Sequence, residues 1–310
     1  MRWLEISVRV PTELADNIAE ILSRYAPNGI AYDYGPVEAD DTDWERPRRP
    51  PPVLTLRAYL PMVGDWEAAR QRIEEGFWHL RQILPFPPPQ FRELDETAWE
   101  EAWKAHYDVL RVGPFVIKPS WRTARLEPGD VLIELDPGMA FGTGTHPTTR
   151  MCLQALAEWL RPGDQVLDLG TGSGILAIAA ARRGAGRVWA LDIDPVAVQV
   201  ARENVERNGV ADRVEVLQGS LEEARALGER FDGIVANIVA PVIGRFCEQG
   251  IADLLRPGGW IVVSGFFQGE QEGTVRQALE ATGLTVARRW AEESWVALGA
   301  RREMAAGYAP

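Results

Sequence analysis

Four short stretches carry residue types and spacings suited to chemistry. In "VLDLGTGSG", Gly170, Gly172 and Gly174 follow a compact apolar run and precede a helix-like one. Missing side chains there let a ligand approach backbone N–H groups at a helix start. The spacing is GxGxG, and Ile175 stands where the dinucleotide fingerprint needs its third glycine. No glycine loop ends in Gly-Lys-Ser/Thr, so an adenosine ligand without phosphates is favoured over a nicotinamide dinucleotide or a nucleoside triphosphate. Asp192 lies 22 residues beyond Gly170, at the tip of "RVWALD". A carboxylate there can accept both hydroxyls of a ribose. Asp194, just before Pro195, suits a helix cap instead. "FDGIVANI" delivers the single amide of Asn237 to the end of an apolar run, beside the crevice that such sheets form, or else into a turn.

The fourth stretch is "DPGMAFGTGTHPTTR", residues 136–150, with three glycines, two prolines, four threonines and one of three histidines in the chain. Glycines let a backbone close over a ligand, and threonine hydroxyls can satisfy an ammonium or a carboxylate. Thr148 or Thr149 can also cap the helix "TRMCLQALAEWL". His146, flanked by proline and glycines, reads as shaping this loop rather than as a general base.

The elements that must position these residues change character along the chain. Residues 1–92 read as βαββαβ, a ferredoxin-like α+β unit. "LEISVRV" turns Leu4, Ile6, Val8 and Val10 inward, and the next helix aligns Leu14, Ile18, Leu22 and Tyr25. The clusters "RPRRPPP" and "LPFPPPQ" read as stiff connections. Residues 93–129 read as a linker helix and connector, with Trp99, Trp103 and Tyr107 striping one face and His106 beside them. From residue 130 to 310, strands alternate with helices, which implies a mostly parallel sheet covered on both faces. "LTVARRWAEESWVALGARR" lacks an intervening helix and closes the sheet as an antiparallel hairpin.

Composition sets the outer bounds. A chain of 310 residues with 46% hydrophobic and 25% charged residues can fill the cores of two domains. No run of eighteen apolar residues exists, and the first residues lack an apolar signal core, so a cytoplasmic location is expected. Cys152 and Cys247 lack metal-ligand spacing and are expected to be reduced and buried, with no metal site. The net charge of −12 argues against binding nucleic-acid backbones and is compatible with a basic protein partner.

"DPGMAFGTGTHPTT", "VLDLGTGSGILAIAA", "DIDPVAVQVARENVERNG" and "VANI" together closely resemble the ribosomal protein L11 methyltransferases, the PrmA family of class I S-adenosylmethionine-dependent methyltransferases. The resemblance covers most of residues 95–300. It implies a Rossmann-like α/β domain with a seven-stranded sheet, S-adenosylmethionine as cofactor, and methylation of lysine side-chain and N-terminal amines of ribosomal protein L11. It further implies a front unit that captures that substrate, and a cofactor site built from Phe141, Gly142, Thr149, Asp168, Gly170, Gly172, Gly174, Asp192 and Asn237. By the same resemblance Phe141 and Gly142 line the methionine and adenosine side, and Thr149 bonds the methionine end. Asn237 is the expected catalytic orienter of the incoming amine. This chain reads "NIVAP" where related amide and amine methyltransferases carry Asn-Pro-Pro-aromatic, which favours flexible amines over planar acceptors. A monomer is expected, without membrane or direct nucleic-acid contact. The rivals are an RNA or other amine methyltransferase, a cofactor-sensing protein without chemistry and, more distantly, a nicotinamide dehydrogenase.

Overall fold

The computed structural model describes residues 2–26, 30–33, 53–95, 108–136 and 144–303. The aromatic connector around Trp99, Trp103, His106 and Tyr107, the "RPRRPPP" cluster, and Phe141 with Gly142 lie outside the described residues. The chain divides into two compact units, 1–108 and 109–310.

The front unit follows the expected order: β1 (Arg2–Pro11), α1 (Ala15–Ser23), β2 (Ile30–Asp33), β3 (Val53–Pro61), α2 (Trp66–Ile83) and β4 (Gln90–Asp95). Its four strands are ordered β2-β3-β1-β4, and every pairing is antiparallel. Period-2 alternation sends Leu4, Ile6, Val8 and Val10 to the helix-covered face, where they are almost fully buried with Ile18, Leu22, Ile73 and Phe77. Pro11 opens a single 3-10 turn, Thr12–Leu14, before α1 proper begins.

The second unit starts with a small sheet that sequence patterning did not separate from the connector. It comprises β5 (Leu110–Val112), β6 (Phe115–Lys118) and β7 (Val131–Glu134). Gly113, at φ +53°, turns β5 antiparallel onto β6, and β7 adds in parallel. Then follow α3 (Pro147–Trp159), β8 (Gln165–Leu169), α4 (Ile175–Arg182), β9 (Arg187–Asp192), α5 (Pro195–Arg207), β10 (Val214–Gln218), α6 (Leu221–Ala226), β11 (Phe231–Asn237), α7 (Ala240–Glu248), β12 (Leu255–Phe267), α8 (Glu270–Ala281), β13 (Leu284–Glu292) and β14 (Trp295–Arg302).

The large sheet runs β10-β9-β8-β11-β12-β14-β13. Its first five strands are parallel, and β14 enters antiparallel between β12 and β13. One core lies between the sheet and α3, α4 and α5, the other on the opposite face. Strand order reverses at β8, so the connections leaving β8 and β11 diverge and open a crevice at their carboxyl ends. Asp168 pairs in register with Val235, and Asn237 stands two residues further along β11. Side chains alternate along a strand, so Asp168 and Asn237 share the face covered by α3. Both cysteines are free and buried. Among the described residues no helix is long and apolar enough to cross a membrane.

Candidate active site

Backbone conformation explains the glycine spacing. Gly170, Gly172 and Gly174 all have left-handed φ, at +74°, +55° and +83°, where a side chain would be strained. The loop is pinned to the next strand, because Gly170 N and Thr171 N both donate to Leu191 O, at 2.8 and 3.0 Å. The Asp192 carboxylate joins the two sides, accepting from Gly172 N at 2.9 Å and from Asp194 N at 3.0 Å. A carboxylate has about four acceptor positions, so lone pairs remain for a ligand diol. Asp194 caps α5 as expected, accepting from Val196 N at 2.9 Å with Pro195 at the first helical position.

Asp168 sits beneath this loop and is 1% exposed. Its Oδ2 accepts from the Thr171 hydroxyl at 2.7 Å and from Ala177 N at 3.2 Å. Its Oδ1 is buried with no hydrogen-bond partner among the described residues. An unpaired acceptor out of water costs about 1–3 kcal/mol, which a cationic or N–H-bearing ligand would offset. Burial pushes the carboxyl up to about 7, against the pull of its two hydrogen bonds, and the nearby Asp192 charge adds to the rise.

Helix α3 lies across the same face. Thr149, 1% exposed, accepts a hydrogen bond from Asn237 Nδ2 at 3.3 Å. The Asn237 carbonyl oxygen is not used in that bond. One turn along α3, the buried Cys152 thiol comes near enough to Asp168 for that charge to add to the effect of burial in raising it.

The cap of α3 is His146, and neither threonine fills that position. His146 Nδ1 accepts from Thr148 N at 3.3 Å and lies 2.8 Å from Thr148 Oγ1, while Pro147 occupies the first turn. Its ring meets Trp295 nearly at right angles, with centroids 4.8 Å apart, and Trp295 packs tilted on Phe267 at 4.1 Å. Burial, with the Arg150 charge second, depresses His146 to about 4. The imidazole is therefore neutral at pH 7 and a weak base, in keeping with a shaping role. Arg150 fixes the helix to the closing hairpin through Glu292, its Nε donating at 3.1 Å, and also bonds the Thr145 carbonyl.

The fold thus brings together Thr149, Asp168, Gly170, Gly172, Gly174, Asp192 and Asn237 at one sheet edge. Two supports escaped sequence reasoning. Ile238 is wedged between Gly170 and Gly265: a methyl group on Gly170 would stand 2.4 Å from Ile238 Cγ2, and one on Gly265 2.4 Å from Ile238 O. Asn204 in α5 and Asn208 at its C-terminal cap, both buried, form a polar chain. Asn204 Nδ2 donates to Ser173 O at 2.9 Å in the glycine loop. Asn208 bonds Asn204 O and both backbone groups of Glu134, at 2.7–2.8 Å. Two asparagines four apart on an otherwise apolar helix face were the available signal.

Comparison with known proteins agrees with this geometry. The family model described as ribosomal protein L11 methyltransferase (PrmA) matches residues 2–303. The chain is 46% identical to the ribosomal protein L11 methyltransferase of Chloroflexus aurantiacus, covering 97% of this chain and 98% of that protein. Identity to the protein of the same description from Pelotomaculum thermopropionicum is 44%, over 97% and 99% of the two chains. Among solved structures, a ribosomal protein L11 methylase from Lactobacillus delbrueckii subsp. bulgaricus superposes with a TM-score of 0.57 at 30% identity, covering 64% of this chain and all of that one. The chain belongs to the ribosomal protein L11 methyltransferase family.

Proposed function

We propose that the protein transfers methyl groups from S-adenosylmethionine to lysine side-chain and N-terminal amines of ribosomal protein L11. The observation that carries this reading is the family match across 2–303, which includes both units rather than the nucleotide-type sheet alone. The site's chemistry fits the cofactor. The orphaned Asp168 Oδ1 suits its ammonium, Asp192 its ribose and the left-handed glycines a close backbone approach. Thr149 would hold the methionine end, as the sequence resemblance implies. Phe141 and Gly142 are proposed to line the same ligand.

When bound, the cofactor supplies an activated methyl group, so this chain's residues need only bind, orient and desolvate the acceptor. A lysine amine with pKa ~10.4 is about one part in 2,500 neutral at pH 7, a deficit of roughly 4.6 kcal/mol. A low-dielectric crevice lowers that pKa. Alignment of nitrogen and methyl carbon contributes about 7–11 kcal/mol, more than the deprotonation deficit. Asn237, held by Thr149, offers its carbonyl oxygen to the incoming N–H and fixes the nitrogen's approach. His146, depressed to about 4, is too weak a base to serve here, and the scheme uses none.

The front unit is proposed to capture the substrate protein, and the net charge of −12 favours encounter with a basic one. The test is mass spectrometry of purified ribosomal proteins and ribosomal RNA after incubation with the enzyme and cofactor. Mass increments of 14 Da on L11 amines are expected, and are expected to vanish when the front unit is removed while cofactor binding persists. Label on RNA alone, or full L11 methylation by the truncated enzyme, would overturn the respective part of this reading.

A further inference from the structure

The buried carboxyl beneath the glycine loop has an unusual set of neighbours. Asp168 is 1% exposed, with one oxygen doubly hydrogen-bonded by Thr171 and Ala177 and the other unpartnered. Each described element packed around it contributes either no charge or the wrong one. From β9 comes the carboxylate of Asp192, and from α3 the thiol of Cys152, itself pushed up by burial and by Asp168. From α4 comes only the Ala177 N–H, and the β11 residue in register is Val235. Among the described residues, no Lys, Arg or His side chain hydrogen-bonds or pairs with Asp168.

We propose that uptake of the cofactor is a proton exchange: Asp168 gives up the proton on its carboxyl as the ligand's ammonium arrives opposite the unpartnered oxygen. This rests on the reading of the site as an S-adenosylmethionine site and adds how its affinity is set. In the exchange the carboxyl O–H bond breaks, the proton passes to solvent buffer, and the resulting carboxylate pairs with the ammonium. No electron is transferred and net charge is conserved. The physical reason is that desolvation disfavours the carboxylate only while no cation faces it, and a cation at hydrogen-bond distance reverses that balance. With no cation opposite its second oxygen, burial holds the group up at about 7, which favours the protonated carboxyl below neutral pH. Affinity therefore rises with pH up to about 7 and levels off above it.

The experiment is titration calorimetry of the full-length protein with S-adenosylhomocysteine, which carries the same amino-acid end and transfers nothing. It is run at pH 6.5 in cacodylate and in imidazole, buffers of different ionisation enthalpy. Net proton release per ligand bound is expected, with affinity rising about two- to tenfold between pH 6 and 7. The comparison ligand, 5′-methylthioadenosine, lacks the amino-acid end and should bind with little proton release. Asp168→Asn should bind S-adenosylhomocysteine more weakly, with no pH dependence over this range. Because that variant can fail to fold, the two ligands on the unmodified protein decide the matter. Tight, pH-independent binding of S-adenosylhomocysteine without proton release overturns the exchange and leaves the cofactor reading standing. Equal release with both ligands also overturns it, since the ammonium would not be the cause. No binding of S-adenosylhomocysteine at any pH overturns both.

Discussion

Gly170→Ala tests the packing on which the crevice depends. Alanine at φ +74° pays the left-handed penalty, roughly 1–2 kcal/mol. Its methyl would also stand 2.4 Å from Ile238 Cγ2, well inside contact distance. Ile238 cannot easily yield, because that carbon sits on a β-branched, χ1-restricted side chain. Its backbone is held as well, with Ile238 N donating to Ser264 O at 2.9 Å and Gly265 packed against the Ile238 carbonyl. Overpacking of this kind costs about 1–3 kcal/mol, for a sum of about 2–5 kcal/mol. In a unit of this size that lowers Tm by about 4–20 °C. Any relaxation must move the 237–239 segment and so weaken ligand binding too. Adding Ile238→Ala removes the clash but not the φ strain. The double variant should therefore be more stable than the sum of the single effects by about 1–3 kcal/mol. Chemical denaturation of the four proteins gives the coupling directly. Additivity within about 0.5 kcal/mol, or a Gly170→Ala cost below about 1 kcal/mol, would refute the wedge.

Asn237→Ala should reduce methyl transfer by about 100-fold while S-adenosylhomocysteine affinity falls much less, because orientation is what it supplies; unchanged turnover with normal affinity, measured by radiolabel transfer and calorimetry, removes it from that role. His146 is held at about 4 in the folded protein against 6.5 unfolded, so the unfolded state binds the extra proton between those values. Its contribution, on the order of 3 kcal/mol at most, is present above pH 6.5 and lost as pH falls toward 4; His146→Asn keeps a capping acceptor and should flatten that acid limb in unfolding titrations.

Sequence made legible those features whose cause is local. Gly170, Gly172 and Gly174 could be read because a ligand loop after a strand needs left-handed backbone, and each adopts it. Asp194-Pro195 reads as a cap because the capping bond spans two residues. The closing hairpin followed from the missing helix between β13 and β14. What escaped is non-local. Nothing near Ile238 in the chain announces that glycines 68 residues before it and 27 after it make its room. The capping choice at α3 also went wrong locally, since threonine outranks histidine as a cap. Here Trp295, brought up from the far end of the chain, holds the imidazole in place. The small sheet β5–β7 was hidden by its short strands, though Gly113-Pro114 between "VLRV"-like and "FVIK" runs is a hairpin signal.

Helix α3 unites these observations. Thr149 and Cys152 are three residues apart, a rise of about 4.5 Å, and so reach Asn237 and Asp168 from one rigid rod. On the sheet the same two targets are separated by one strand spacing and two residues of rise. The Asn237 and Asp168 sides of the crevice are thus spaced twice, by a helix and by a strand pair in one register. Arg150 and His146 fix that register from the helix's first turn, through Glu292 and Trp295 at the tip of the closing hairpin. A sheet extended by an antiparallel pair at its far edge therefore does more than cover an exposed strand. It supplies the fixed point against which α3 is set, so residues at the hairpin tip position the helix that carries Thr149 and Cys152.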